Sequence, residues 1–302
     1  MRFFISAGEP SGDLHAGNLT RSLKSVDANC DVFGLGGERF RAAGADVIYP
    51  LAEHAIMGFV RVAGVVPKLA DLLDRLTALW HRRRPDAVVL IDYPGYHWWV
   101  AKRAKALDIP VVSFVPPQLW AWAGYRVRKM RATFDRALCA LPFETNWFQQ
   151  RGMRAEYIGH PYFDELERQA PDAAFVADQR AGGPVVAMLP GSRHGEVSEN
   201  TPLLLNTARA IATQVPAARF IFACYRESHC EDIARRLAGA NIKANAVVGR
   251  TGDAIAAADV AVAVSGSVGL ELLWRQVPSV IIYRTSRWNQ FLFNRLRTVD
   301  HI

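Results

Sequence analysis

The chain has 302 residues, half of them hydrophobic, enough for a sizeable core and for two domains. A formal net charge of +7 points to an acidic partner, but no RRM, zinc-finger or KH signature supports nucleic acid. No stretch offers the ~18–20 unbroken apolar residues that span a bilayer. The apolar start is also too short for a signal peptide, with Glu9 and Asp13 following at once, so a cytoplasmic protein is expected.

In chain order, residues 3–7, 87–91, 110–115 and 137–141 read as buried parallel strands, being short, unbroken apolar runs. Residues 11–24, 68–80 and 97–107 carry helical spacing between them. A second series of strands is expected at 185–189, 219–223, 245–248, 260–264 and 279–283. Two β/α series predict two doubly wound domains, 1–165 and 166–302, with a Pro- and Gly-rich seam between 159–161 and 182–184. In such sheets ligands sit outside the carboxyl ends of the strands, so facing domains would enclose a cleft. Cys30, Cys139, Cys224 and Cys230 are scattered, with no CxxC pair, and are expected to be buried thiols rather than zinc ligands.

Five strand-end loops could carry chemistry. SGSVGLE at 265–271 joins a strand to a helix, where backbone N–H groups and the helix dipole favour a phosphate. Ser265 and Ser267 can donate to it, and Gly266 permits its close approach. Glu271 either accepts from a ribose diol or is an ordinary surface glutamate. LPGSR at 189–193 repeats the pattern, with Ser192 beside Arg193, which grips a diphosphate or forms a surface salt bridge. GEPSGD at 8–13 brings Glu9, Gly12 and Asp13 to the end of the first strand, with Ser11 placed to cap the next helix. Asp92 follows a wholly apolar strand. Desolvation there would suit a general base, although an aspartate also caps helices. Residues 116–122 set Trp120 and Trp122 beside the basic run 126–131, as a ligand surface or as core.

Residues 68–80 place Leu69, Leu72, Leu73, Leu76, Leu79 and Trp80 on one helical face, followed by His81 and Arg82–Arg83–Arg84. The preceding apolar stretch contains Met57, Phe59 and Val60. An apolar surface rimmed by arginine suits peripheral contact with anionic lipid. Alternatively, the leucine face packs on the sheet.

Taken together, GEPSGD, GLGG at 34–37, IDYP at 91–94, LWAW at 119–122, LPFE at 141–144, GHP at 159–161, LPGSR and SGSVGLE resemble the lipid-A-disaccharide synthase family, in order and over nearly the whole chain. The resemblance implies a GT-B fold, two Rossmann-like domains with the active site in a cleft between them. It implies a donor, UDP-2,3-diacylglucosamine, and an acceptor, 2,3-diacylglucosamine 1-phosphate (lipid X). The products would be a β-linked disaccharide 1-phosphate and UDP. On this resemblance Asp92 is the base and Glu9 a second essential carboxylate, and UDP falls to Ser192, Arg193, Ser265, Gly266, Ser267 and Glu271. Acceptor and lipid are assigned to Gly12, Asp13, His15, Trp120, Met57, Phe59 and Val60. No cofactor or metal is expected, since no Asp-x-Asp pair occurs. Membrane contact would be peripheral, on the cytoplasmic face of the inner membrane, and a homodimer is allowed. The family continues past Ile302, so the chain is expected to be the larger part of such a protein. The rival readings are a UDP-N-acetylglucosamine epimerase of the same fold, or a binding protein that keeps the diphosphate loops without catalysis.

Overall fold

The computed structural model describes residues 1–54, 66–192 and 194–282. Met57, Phe59, Val60 and Arg193 lie outside the described residues, as do residue 283 of the last expected strand and the side chain of Trp122. The chain divides into two compact units, with the boundary between Pro161 and Tyr162.

The first unit runs β1 (Arg2–Ala7), α1 (Pro10–Val26), β2 (Asp31–Leu35), α2 (Glu38–Ala42), β3 (Asp46–Tyr49), α3 (Val66–Arg82), β4 (Ala87–Ile91) and α4 (Pro94–Ala106). It continues with β5 (Val111–Phe114), the single turn α5 (Leu119–Trp122), α6 (Val127–Thr133), β6 (Arg136–Cys139), α7 (Pro142–Gln149) and β7 (Ala155–Tyr157). Its seven strands are ordered β3-β2-β1-β4-β5-β6-β7 and pair in parallel. The order reverses between β1 and β4, which pair from Phe3 with Ala87 to Ala7 with Ile91.

The stretch expected to be a seam holds two helices, α8 (Pro161–Arg168) and α9 (Ala173–Arg180). Asp172 starts α9 by accepting from the N–H groups of Ala174 and Phe175, a local cap that composition alone hides. The second unit continues with β8 (Val185–Leu189), α10 (His194–Gln214), β9 (Arg219–Cys224), α11 (Glu227–Leu237), β10 (Ala244–Val248), α12 (Thr251–Ala257), β11 (Val260–Val264), α13 (Val268–Trp274) and β12 (Ser279–Ile282). Its order is β10-β9-β8-β11-β12, again parallel, and it reverses between β8 and β11.

The core of the first unit answers one expectation. Leu72, Leu73, Leu76 and Trp80 of α3 are buried in it, and Leu69 and Leu79 pack against it. The Trp80 ring meets Phe4 edge-on at 5.0 Å. The leucine face therefore packs on the sheet and is not a membrane surface. Burying each such side chain contributes roughly 1.5–3 kcal/mol, which decides the matter within the fold. The arginine rim is also partly occupied: Arg83 pairs with Asp31 at 2.6 Å and with Asp46, and stacks 4.2 Å from the Phe33 ring centroid. Cys30, Cys139 and Cys224 are buried and all four cysteines are free thiols. Among the described residues no helix is long and apolar enough to cross a membrane.

Candidate active site

In a doubly wound sheet the crevice for ligand opens at the carboxyl ends of the strands where the order reverses. In the first unit those strands are β1 and β4, and they lead into GEPSGD and IDYP. In the second they are β8 and β11, which lead into LPGSR and SGSVGLE. Four of the five loops singled out by sequence thus occupy the two switch points.

The two loops of the first unit interlock. A Cβ added to Gly8 would fall 2.2 Å from Tyr93 Cγ, so the Tyr93 ring lies across a bare backbone. One turn on, a Cβ at Gly12 would stand 3.3 Å from the Ile91 carbonyl and 3.5 Å from Asp92 Cβ. The start of α1 can therefore sit against the end of β4, and Ser11 Oγ donates to Asp92 Oδ2 at 2.8 Å. That bond corrects the expected capping role of Ser11. Pro10 occupies the first turn, Glu9 is the N-cap residue with no side-chain cap bond, and Ser11 is already helical. Glu9 is half-buried. Its carboxylate, after burial, holds the Tyr93 hydroxyl above the usual tyrosine range. Beneath the loop, the fully buried Ser6 hydroxyl lies 2.9 Å from His97 Nε2, and burial pushes the His97 imidazole down to about 3.

Asp92 itself is exposed within this unit. Its backbone is left-handed, φ 50°, and Val115 at the end of the neighbouring β5 has φ 53°. Non-glycine residues held in this region cost on the order of 1–3 kcal/mol each and cluster where side chains must be aimed.

The remaining first-unit residues fall into two groups. Asp13 is corrected from a ligand contact to a structural clamp. It is buried, and its two oxygens accept from the N–H groups of Gly37 at 2.6 Å, Arg39 at 3.0 Å and Phe40 at 3.2 Å, capping α2 from across the sheet edge. A Cβ at Gly37 would lie 2.8 Å from Asp13 Oδ2, which explains why GLGG accompanies GEPSGD. His15 is buried on α1, its ring 6.2 Å from that of His160 in GHP. Trp120 meets Phe143 edge-on at 4.8 Å, and its indole N–H donates to Glu144 Oε1 at 2.8 Å. Glu144 was quoted only as part of a motif. It is a buried carboxylate whose pKa burial raises and whose second oxygen accepts from the Leu141 N–H. A carboxylate just inside a helix, after a proline at its first turn, is the signal that could have singled it out.

In the second unit, β8 is wholly buried and exits through Gly191, whose φ of +104° lies where only glycine is unstrained. Exposed Ser192 follows, then the N-terminus of the 21-residue α10. After β11, Ser265, Gly266 and Ser267 are all exposed ahead of α13. A Cβ at Gly266 would meet no described atom within 4 Å. Glu271 is 4 % exposed, so the surface-glutamate alternative is excluded. Its Oε1 pairs with Arg275 Nε at 3.1 Å and lies 3.0 Å from where a Gly252 Cβ would be. Burial, and then the nearby Glu271, push the Tyr162 hydroxyl up to about 12. A separate pocket of about 470 Å³ opens at the other end of this sheet, bounded by Arg219 and Lys243, away from the motif loops. Among the described residues no group of three or more His, Cys, Asp or Glu is placed to hold a metal ion.

Comparison with solved structures places this architecture in the GT-B fold. UDP-GlcNAc 2-epimerase from Neisseria meningitidis, solved with UDP-GlcNAc, superposes with a TM-score of 0.64 at 11% identity, over 97% of this chain and 85% of that one. Lipid-A-disaccharide synthase of Myxococcus xanthus is 34% identical over 289 residues, 94% of this chain and 75% of that protein. The enzyme of the same name from Geobacter metallireducens is 35% identical over 308 residues, 100% of this chain and 79% of that protein. The model of the family described as lipid-A-disaccharide synthetase matches residues 3–302, and with relatives at this identity the chain belongs to that family.

Proposed function

We propose that the chain is an inverting glycosyltransferase that joins UDP-2,3-diacylglucosamine to 2,3-diacylglucosamine 1-phosphate, releasing UDP. The observation that supports this most is the position of the four motif loops at the switch points of the two sheets: carboxylates on the first, glycine–serine turns before helix N-termini on the second.

The acceptor 6-hydroxyl attacks the anomeric carbon in line, the bond from that carbon to the diphosphate oxygen breaks, and the α-linked donor becomes a β-linked product. Asp92 takes the hydroxyl proton. The Ser11 hydroxyl holds one Asp92 oxygen, which sets the plane of the carboxyl group and presents the other to the acceptor. Glu9 supplies the second carboxylate of this loop pair. The charge gathering on UDP is met by the N-terminal ends of α10 and α13 together with Arg193, and Ser192, Ser265, Gly266 and Ser267 contact the phosphates. Glu271 binds the ribose diol from its buried position beside Arg275. No metal is required where helix ends and an arginine neutralise the leaving group. Trp120, held by Glu144, and His15 with Gly12 border the acceptor side. Met57, Phe59 and Val60 carry contact with anionic lipid at the cytoplasmic membrane face, and serine at all three positions is expected to release the protein from anionic liposomes.

The test is product analysis with acylated and unacylated UDP-glucosamine, each with the acylated acceptor. Disaccharide 1-phosphate and UDP from the acylated donor are expected. An epimerised sugar nucleotide would establish the epimerase reading, and binding without any product would establish the binding protein.

A further inference from the structure

A pocket of about 590 Å³ opens in the first unit between the start of α4 and the segment leading into α6. Gly95, Trp98, Tyr125, Arg126, Arg128 and Lys129 line it, so the described lining has three cations and no carboxylate. The cations are crowded. Lys129 Nζ stands 4.9 Å from the Trp98 ring centroid, and Lys102 Nζ is 5.1 Å from the ring centroid of the exposed Trp99. Arg126 Nε bonds the Tyr125 hydroxyl at 3.2 Å. Burial, and then Lys102 and Arg126, hold the Lys129 ammonium below the usual lysine range, as expected where like charges stand close together. The neutral wall contributes the same sign. Gly95 is the second residue of the 13-residue α4, whose first turn directs N–H groups and the positive end of the helix dipole outward. A Cβ at Gly95 would meet no described atom within 4 Å, so the backbone there is open to a close approach.

Gly95 lies three residues after Asp92, the base in the reaction proposed above. On a pyranose C1 and C5 flank the ring oxygen, so the 1-phosphate and the 6-hydroxyl leave the ring from neighbouring positions. A sugar that presents its 6-hydroxyl to Asp92 therefore seats its phosphate close by, within about one ring's width. We propose that this pocket binds the phosphomonoester of the acceptor, with Arg128 and Lys129 as its principal cations and the α4 N-terminus as its third side. The inference rests on the acceptor assigned above. A phosphomonoester carries close to two negative charges near neutral pH and three strong acceptor oxygens, which suits guanidinium and ammonium donors converging with backbone N–H groups. The exposed ring of Tyr125 gives the sugar an aromatic rim.

Two variants test it: Arg128→Ala with Lys129→Ala, and Lys129→Met, which keeps the lysine stem over Trp98. With the phosphorylated acceptor, KM in the double variant is expected to rise about tenfold or more, the scale of one or two lost charge-assisted hydrogen bonds. The donor KM, and the KM for the same acceptor without its phosphate, should stay unchanged. Phosphorus-31 line broadening of water-soluble glucosamine 1-phosphate should appear with the native chain, weaken in Lys129→Met and vanish in the double variant. This second measurement does not depend on turnover. Broadening lost in the variants while the native chain makes no disaccharide would keep the anion site and refute the glycosyl transfer. Disaccharide formed with unchanged KM and broadening in both variants would overturn the pocket assignment alone. Weakened binding to phosphatidylglycerol vesicles with an unchanged acceptor KM would make the pocket a bilayer contact and overturn it equally.

Discussion

In the first unit a Cβ at Gly8 would fall 2.2 Å from Tyr93 Cγ, whereas in the second a Cβ at Gly266 would meet no described atom within 4 Å. Both glycines sit just after a strand at a point where the sheet order reverses, yet they serve opposite ends. Gly8 and Gly12 let two loops of the protein press together, so that Ser11 reaches Asp92 and the carboxylate is aimed by the fold itself. Gly266 is required by nothing inside the described structure, and the space it leaves is available to something that arrives. Chemistry that must be aimed is built on interlocked loops; binding that must be reversible is built on open backbone.

The largest expected effect comes from the aimed side. Asp92→Asn nearly conserves shape and removes basicity, and should lower turnover by roughly 100-fold or more while UDP binding and the melting temperature hold. Near-normal turnover would remove Asp92 as the base. The comparison itself is broken or sharpened by a pair of alanines. Gly8→Ala forces Tyr93 aside and is expected to destabilise the protein by about 1–3 kcal/mol, the usual range for overpacking, read from denaturant unfolding. Gly266→Ala should change stability by no more than about 0.5 kcal/mol and yet weaken UDP binding. Equal effects of both on stability would mean that the two loops do not differ as described.

Calorimetric titration with UDP measures the next effect. Glu271→Ala and Arg193→Ala should each weaken binding by about 1–3 kcal/mol, as expected for charge-assisted hydrogen bonds. Loss with only one of them would confine the nucleotide to one of the two second-unit loops. The last effect is seen only in acid and concerns the floor of the first loop. His97 is neutral in the fold with its pKa lowered to about 3, against 6.5 unfolded, so below pH 6.5 the unfolded chain takes up a proton that the folded chain refuses. Stability is therefore full above that pH and falls as pH drops from 6.5 towards 3, by up to about 1.4 kcal/mol per pH unit for this one group. His97→Gln should make the acid limb of the stability profile shallower by that one proton. An unchanged limb would show that His97 protonates freely in the fold.

Much of this was legible in the sequence, and the exceptions have physical causes. The strands at 87–91, 185–189 and 260–264 were read residue for residue, because central strands of a parallel sheet are unbroken apolar runs. β3 and β7 were not foreseen: they are edge strands, half-exposed and only four and three residues long. β2 was hidden by Gly34, which weakens a strand pattern. A Cβ there would fall 1.8 Å from the Ile5 carbonyl, so the glycine is imposed by the neighbouring strand. Local spacing also misled at Asp13, whose partners lie 24 to 27 residues away, and at the leucine face of α3, because a helix that packs on a sheet and one that lies on lipid share one periodicity. Asp92 is exposed within its own unit because an apolar strand shields its own residues and not the first residue beyond its end.

Hydrogen–deuterium exchange with and without UDP tests most directly the division of labour between the two units. The account predicts slowed exchange at the backbone amides following β8 and β11, residues 191–196 and 265–271, with the loops after β1 and β4 unchanged. Protection at residues 8–13 and 92–95 in place of those segments, or at the pocket bordered by Arg219 and Lys243, would contradict it.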